Sequence, residues 1–401
     1  MKRIELLAPA GDLERLKFAI IYGADAVYIG GKRLSLRSAA SNFTIEEIKE
    51  GCDFAHERNA KIYVTCNIVM HQVDKIDFIE YLKQLNDAGV DGIIASSLYI
   101  LKLVKENTSM EAHVSTQQSI SNAKGIEFIS NLGIDRVVLA RECSLKNIKT
   151  ICKNTNKEIE VFIEGAMCAS VSGRCMLSNV MTRRDANRGG CAQPCRWNYN
   201  LYKGNKKISV GDYDFSLAST DLSAIKYIPD LIEAGVSSLK IEGRMKSVHY
   251  IATIVNAYRR AIDDYYKGEM RPIEEYQANL KKGENRPVSI GFFDGDISTT
   301  EVIYNQKNVT ASHDFVGLIV NYDKKSKIAT MEVRNLFKGN RELEILSPGL
   351  APFYVNIKDI YNDKNEIVDI ANHPKSLIYF KSDKELHTYD FVRWICETKF
   401  S

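Results

Sequence analysis

Four cysteines, Cys168, Cys175, Cys191 and Cys195, follow one another as C-x6-C-x15-C-x3-C. The chemistry open to such a set is thiolate ligation. Four thiolates brought together suit zinc or an iron–sulfur cluster. Structural zinc favours pairs separated by two to four residues, and only Cys191 with Cys195 meets that spacing. The wider first pair, in a Gly- and Ser-containing run, leaves room for a bulkier cluster. On spacing alone, a cluster, a zinc ion and unligated thiols all stay open. The chain has nine cysteines. The other five, Cys52, Cys66, Cys143, Cys152 and Cys396, are scattered and read as small buried hydrophobes rather than a disulfide framework.

The same stretch is basic. From 168 to 207 run Arg174, Arg183, Arg184, Arg188, Arg196, Lys203, Lys206 and Lys207 against Asp185 alone, so +8 − 1 gives +7, while the whole chain carries only +3. A charge run is most simply a solvated surface. Here it lies beside a thiol set and is interleaved with Trp197, Tyr199 and Tyr202. That favours a polyanion, and RNA over DNA because the aromatic rings can stack on bases. Arg174, Arg183, Arg184, Arg188 and Arg196 are the substrate-binding candidates from this stretch. No named RNA-binding motif, P-loop, G-x-S-x-G or H-E-x-x-H occurs.

Elements that could position these groups come from periodicity. Up to residue 267, short buried-type runs (ELLAP, DAVYIG, KIYVTCN, DGIIAS, EAHVS, RVVLA, EIEVFI, SSLKIE) alternate with helical stretches. Eight strands in this alternation predict a (β/α)8 TIM-type barrel; an open doubly wound sheet is the alternative. Thr44 and Glu47 form a capping box before the second helix. The spacing breaks once, between strands seven and eight, where residues 164–218 make an insertion that carries the cysteines. An insertion after a strand lies at the C-terminal face, where barrel enzymes keep their active sites. The insertion includes a hairpin turning at Lys203-Gly204-Asn205, and DLSAIKYIPDLIEAG supplies a helix after it. We therefore expect a barrel over 1–267, a connector over 268–310 and a small C-terminal all-β barrel-like domain over 311–401, where the period changes to two.

The strand ends supply the second set of candidates. Tyr28, Asn67, Ser96, Ser115 with Gln117, Arg141 with Glu142, Glu164, and Glu242 with Arg244 and Lys246 fall at C-terminal tips. His113 lies inside strand five. Arg141 and Arg244 suit a carboxylate-bearing small molecule, since arginine binds carboxylates bidentately. Arg141, Glu142, Glu242, Arg244, Lys246 and His113 are the catalytic candidates; Tyr28, Asn67, Ser115 and Gln117 are substrate-binding candidates. The opening residues do not read as a signal peptide, and no apolar run reaches the roughly 18 residues of a membrane span. The expectation is a cytoplasmic protein without membrane association.

At this point the chain resembles a family. ELLAPAGD at the start, YGADAVY at 22–28, EGAMCASVSGRC at 164–175, CAQPCRW at 191–197 and SLKIEGRMKS at 238–247 are similar to the collagenase-like peptidases of family U-32. The tRNA 5-hydroxyuridine synthase branch is most similar. The resemblance implies a 4Fe–4S cluster on Cys168, Cys175, Cys191 and Cys195. It also implies oxygen-independent, prephenate-dependent 5-hydroxylation of the wobble uridine of tRNA. A peptidase of unassigned mechanism and a zinc-stabilised RNA-binding module are the alternatives. Partners would be tRNA, prephenate or a similar carboxylated molecule, and an oligomeric or accessory subunit.

Overall fold

A computed structural model describes residues 3–36, 42–208, 216–283, 286–296 and 312–395. Cys396 and the later part of the expected connector lie outside them. The chain divides into two compact units. Met1–Ile20, Ala24–Ser247 and Arg286–Val309 form the first; Ile21–Gly23, Val248–Asn285 and Thr310–Ser401 form the second.

The first unit is built on strands β1 (Glu5–Pro9), β2 (Ala26–Gly30), β3 (Lys61–Cys66), β4 (Gly92–Ala95), β5 (Glu111–Val114), β6 (Arg136–Val138) and β7 (Glu158–Ala166). Each pairs in parallel with the next. The strand Ser238–Ile241, β11 in chain order, pairs in parallel with both β7 and β1 and closes the barrel. These strands are buried almost throughout, which is why they read as continuous apolar runs rather than alternations. Helices α1 (Leu13–Ile21), α2 (Ile45–His56), α3 (Phe78–Asp87), α4 (Leu98–Asn107), α5 (Ala123–Ile129) and α6 (Leu145–Lys153) alternate with them. The Thr44 capping box forms as expected: its hydroxyl accepts from Glu47 N at 3.2 Å, and Glu47 Oε2 accepts from Thr44 N at 2.8 Å.

The insertion leaves and rejoins the barrel at one place. The end of β7 pairs antiparallel with β10 (Asp221–Ser223), Asp221 opposite Ala166. Between them lie α7 (Leu177–Thr182) and the hairpin of β8 (Tyr202–Lys203) and β9 (Lys206–Lys207). The helix expected over DLSAIKYIPDLIEAG is shorter than that stretch. Asp221–Ser223 is strand, because its backbone is satisfied on β7. The helical part starts at the 3₁₀ turn Ile225–Tyr227 and continues as α8 (Ile228–Glu233). A short strand β12 (Val288–Ser289) adds to β10.

The second unit holds α9 (Val248–Lys267), α10 (Ile273–Gly283) and an antiparallel half-barrel. The helix α10 falls in the stretch expected to be a connector. Its apolar residues are Ile273, Tyr276, Ala278 and Leu280, of which Tyr276 and Leu280 are buried. The half-barrel has eight strands, among them β13 (His313–Asp323), β14 (Ile328–Val333), β16 (Arg341–Leu346) and β22 (Phe391–Ile395). Its core includes Val316, Ile319, Met331, Phe337, Ile345, Phe380 and Val392. The wholly buried Arg393 donates to Glu344. Among the described residues, no helix is long and apolar enough to cross a membrane.

Candidate functional site

Two cavities open at the C-terminal end of the barrel strands. The inner one, about 150 Å³, lies in the barrel mouth and is lined by Tyr28, Thr65, Asn67, Ser115, Phe162, Lys240, Glu242 and Arg244, among others. The outer one, about 290 Å³, is lined by all four clustered cysteines with Arg184, Gln193, Arg196 and Met245. Leu36, Thr116, Gln117 and Arg141 line both. A molecule in one cavity is thus separated from the other by a few side chains.

All four clustered thiols line the outer cavity. Cys168 and Cys191 are exposed, Cys175 and Cys195 half-buried. The Cys195 thiol is pushed above its ordinary pKa by burial first and then by the neighbouring Cys168, Cys191 and Cys175, with Arg196 opposing. A bound cation would favour the thiolate form at Cys195. Among the described residues, no three His, Cys, Asp or Glu side chains converge tightly enough to share one metal ion. The arrangement is a lining spread around a cavity. By contrast, burial pushes Cys52, Cys66 and Cys143 up to about 12, and they sit in the packed interior as small apolar side chains.

Two latches hold the cysteine segment over the barrel. On one side, the Glu142 carboxylate accepts from Ser172 N at 2.9 Å and from its hydroxyl at 3.1 Å. Gly173 follows with φ +72°, and a Cβ there would stand 2.2 Å from the Gln117 carbonyl oxygen; only glycine lets the segment lie this close. On the other side, Arg188 makes a bidentate pair with Asp74 at 2.7 and 3.1 Å, and Val69 N donates to Asn187 O at 2.9 Å. The Arg188 guanidinium holds the Asp74 carboxyl below its usual range.

The strand-tip candidates divide. Arg141 has its guanidinium 4.2 Å from the Phe162 ring centre and 3.8 Å from Glu242 Oε2. Tyr28 donates to Glu242 Oε2 at 3.2 Å. Ser115 donates to Gln117 Oε1 at 3.2 Å. Asn67 Oδ1 accepts from Leu36 N at 3.0 Å, and Ser96 donates to the Asn67 and Ile68 carbonyls. Arg244 lines the inner cavity, but its donors serve Ser35, Leu36, Thr65 and Asn42. It pins the loop after β2, and Gly30 is needed there because a Cβ would meet Arg244 Nη2 at 2.2 Å.

Other candidates lie elsewhere. His113 is wholly buried and pairs with Glu111 at 2.9 Å, lining neither cavity. Its partners in register are Ile94 and Arg136, and its ring packs edge-on against Tyr63. Lys246 lines neither and stands 3.6 Å from Asp221. Burial holds its ammonium below its ordinary pKa. Glu142 lines neither and serves the latch. Glu164 is buried in β7. Arg174 and Arg183 are exposed on the insertion away from the cavities, whereas Arg184 and Arg196 line the outer one. Sequence reasoning passed over Lys240, Phe162 and Thr65. Lys240 lies on the closing strand and Glu242 just past its end, beyond a register shift at Lys240/Ile241, so strand alternation alone did not reveal that both line the inner cavity.

Polar groups at the strand ends around a closed parallel barrel, with a cavity at their centre, are the arrangement that barrel enzymes use. Sequence comparison then gives the family. The chain belongs to Peptidase family U32: residues 11–302 match the family profile and residues 311–393 match that of the U32 C-terminal domain. It is 45% identical over 400 residues, 98% of this chain and 95% of the relative, to tRNA hydroxylation protein P1 of Bacillus subtilis. It is 40% identical to a 23S rRNA 5-hydroxycytidine synthase of Escherichia coli, over 65% of this chain and 39% of that one. It is 38% identical to an uncharacterized protease of Methanocaldococcus jannaschii, over 83% and 84%.

Proposed function

We propose that the protein hydroxylates RNA and, more narrowly, that it is a tRNA uridine 5-hydroxylase acting at the wobble position without molecular oxygen and with prephenate as co-substrate. The observation that carries this reading is the shared wall of the two cavities: thiols face one side of Gln117 and Arg141, and a charged pocket faces the other. The names of relatives along nearly the whole chain and in the barrel supply the reaction class. The wall supplies a place where a co-substrate and a base can meet.

Cys168, Cys175, Cys191 and Cys195 would hold a 4Fe–4S cluster. The donor set fits such a group. A zinc ion needs its thiolates converging at about 2.3 Å on one centre, whereas thiols spread around a cavity suit a cluster with several irons. When bound, the cluster would supply one-electron transfer beside the base, or would order the segment that covers the mouth.

The chain's own groups have separate tasks. Arg141, stacked on Phe162 and with only a long pair to Glu242, takes the carboxylate of the co-substrate. Glu242 and the Tyr28 hydroxyl, 3.2 Å apart, handle a proton at that end. Arg184 and Arg196 at the outer cavity, with the exposed Lys203, Lys206 and Lys207, take RNA phosphates. Replacing C5–H of a uridine by C5–OH removes two electrons from the base, so the reaction needs redox partners as well as this acid–base machinery. A proteolytic reading stays second: the protease name of one relative favours it, while no histidine lines either cavity among the described residues.

The test is nucleoside analysis of tRNA from a strain lacking this chain, grown without oxygen. 5-Hydroxyuridine should disappear, return with the wild-type chain, and stay absent with Cys168→Ser. An unchanged nucleoside profile contradicts the proposal.

A further inference from the structure

Inside the barrel, one carboxylate is shared by two cations. Glu160 on β7 is fully buried, and its Oε1 accepts from Lys240 Nζ at 2.7 Å while its Oε2 accepts from Arg136 Nη1 at 3.3 Å. Arg136 also meets Glu5 and Glu158 and lines neither cavity. Lys240 does line the inner cavity, although its side chain is only 5% exposed. Its ammonium stands 4.5 Å from the Tyr28 ring centre and 5.5 Å from that of Phe162.

This geometry does two things. The long side chain is held by a partner behind it and by aromatic faces beside it, so the ammonium is fixed at the cavity wall rather than free to move. Glu160 matches the Lys240 charge, and Glu5 with Glu158 match that of Arg136, but the cavity lining itself carries Lys240, Arg141 and Arg244 against Glu242 alone, which favours an anion there. Arg244, the other deep cation, spends its donors on the loop after β2. An anion reaching the bottom of the cavity therefore finds Lys240. Both Lys240 and Arg141 lie within 5.5 Å of the Phe162 ring centre, and both line the one cavity.

We propose that Lys240 is the inner anchor of a small-anion site in the barrel mouth, with Glu160 as its positioning residue and Arg141 as the outer anchor. The ligand class is a small organic molecule bearing an oxyanion, of carboxylate type, seated against Nζ. The assignment of its carboxylate source rests on the co-substrate reading above; the site itself does not.

The experiment uses the full chain and four forms: wild type, K240M, K240R and the double variant K240M/E160Q. Each is titrated with prephenate and, separately, with inorganic phosphate, and its melting temperature is recorded. K240M alone leaves Glu160 short of a partner and should melt lower. The double variant removes both charges and should recover most of that loss. If Lys240 were only a structural counter-ion, the double variant would also recover prephenate binding to within about twofold of wild type, and that result overturns the proposal. The expected result is recovered melting with prephenate affinity still weakened about tenfold or more, unchanged tRNA affinity, and near-normal prephenate binding in K240R. Lys240-dependent binding of phosphate with no response to prephenate would overturn the carboxylate class. Prephenate binding that needs Lys240 in a protein leaving tRNA unmodified retains the site and removes the hydroxylase reading. A hydroxylase whose KM for prephenate ignores Lys240 does the reverse.

Discussion

Arg141 Nη2 stands 3.8 Å from Glu242 Oε2, and no side-chain hydrogen bond joins the two. The pair is near enough to hold orientation and too long to use up the guanidinium's donors. Arg141 also lines both cavities. It is the group best placed to respond to a ligand on either side.

Arg141→Ala should therefore weaken co-substrate binding by about 1.5–3 kcal/mol, the range for a hydrogen bond to a charged group. Arg141→Lys should recover only part of this, because a point charge lacks the bidentate fork. Calorimetric titration with prephenate checks both. Equal affinity in all three forms would place the anion elsewhere.

Glu142 was a catalytic candidate by position and is a latch by geometry. Glu142→Ala leaves the Ser172 N–H buried without its acceptor, at a cost of about 1–3 kcal/mol. The cysteine segment should loosen, seen as a lower melting temperature and faster loss of bound metal to a chelator. Glu142→Gln keeps an acceptor and should fall between. If neither variant changes metal release, the latch does not govern the thiol segment.

The division of the strand-tip residues shows what the sequence could and could not carry. The barrel and the insertion were legible, because periodicity and spacing act locally along the chain. Which tip residue faces the cavity was not. Arg141 and Arg244 look equivalent in sequence, yet Arg244 is tied to Ser35, Leu36 and Asn42 after β2 and to Thr65 on β3. His113 is taken up inside the barrel by Glu111 and the Tyr63 ring, and the Tyr63 contact depends on pairing between distant stretches. Lys240 was hidden in a strand that otherwise reads as apolar core. The helix α10 was missed although Ile273, Tyr276 and Leu280 follow a helical i, i+3, i+7 spacing, because so short a pattern stands in a run rich in Lys, Glu and Asn.

Basic residues on the β8–β9 hairpin should act through phosphate charge. Lys203, Lys206 and Lys207 are all exposed. Replacing the three with Gln should lower tRNA affinity at low salt and flatten the log–log salt dependence by roughly 2, at about 0.7 per phosphate contact on single-stranded RNA. Filter binding across a salt series reads this directly. An unaltered slope would remove the hairpin from the RNA surface.

The second unit should be acid-sensitive for a nameable reason. Burial, then the nearby Arg393 and His313, lowers the His249 pKa to about 3, and its Nε2 is buried without a hydrogen-bond partner. Its ring stacks on Phe315 at an interplanar angle of 5°. The folded-state pKa lies below the unfolded value of about 6.5, so the unfolded chain gains the proton first. Stability is full above about pH 6.5 and falls as pH drops toward 3, with a slope of up to about 1.4 kcal/mol per pH unit from this one group. His313, lowered to about 4 mainly by burial, adds to it. His249→Phe should make unfolding less steep with pH between 6 and 4; a pH profile parallel to wild type would contradict the assignment.

Metal analysis of the anaerobically purified chain tests the central claim most directly. Cys168, Cys175, Cys191 and Cys195 line one cavity, and the account has them hold a cluster. It predicts brown protein with about four irons and about four sulfides per chain, lost in Cys191→Ser and lost with hydroxylation on chelation. Colourless protein carrying stoichiometric zinc, or no metal at all, would contradict it.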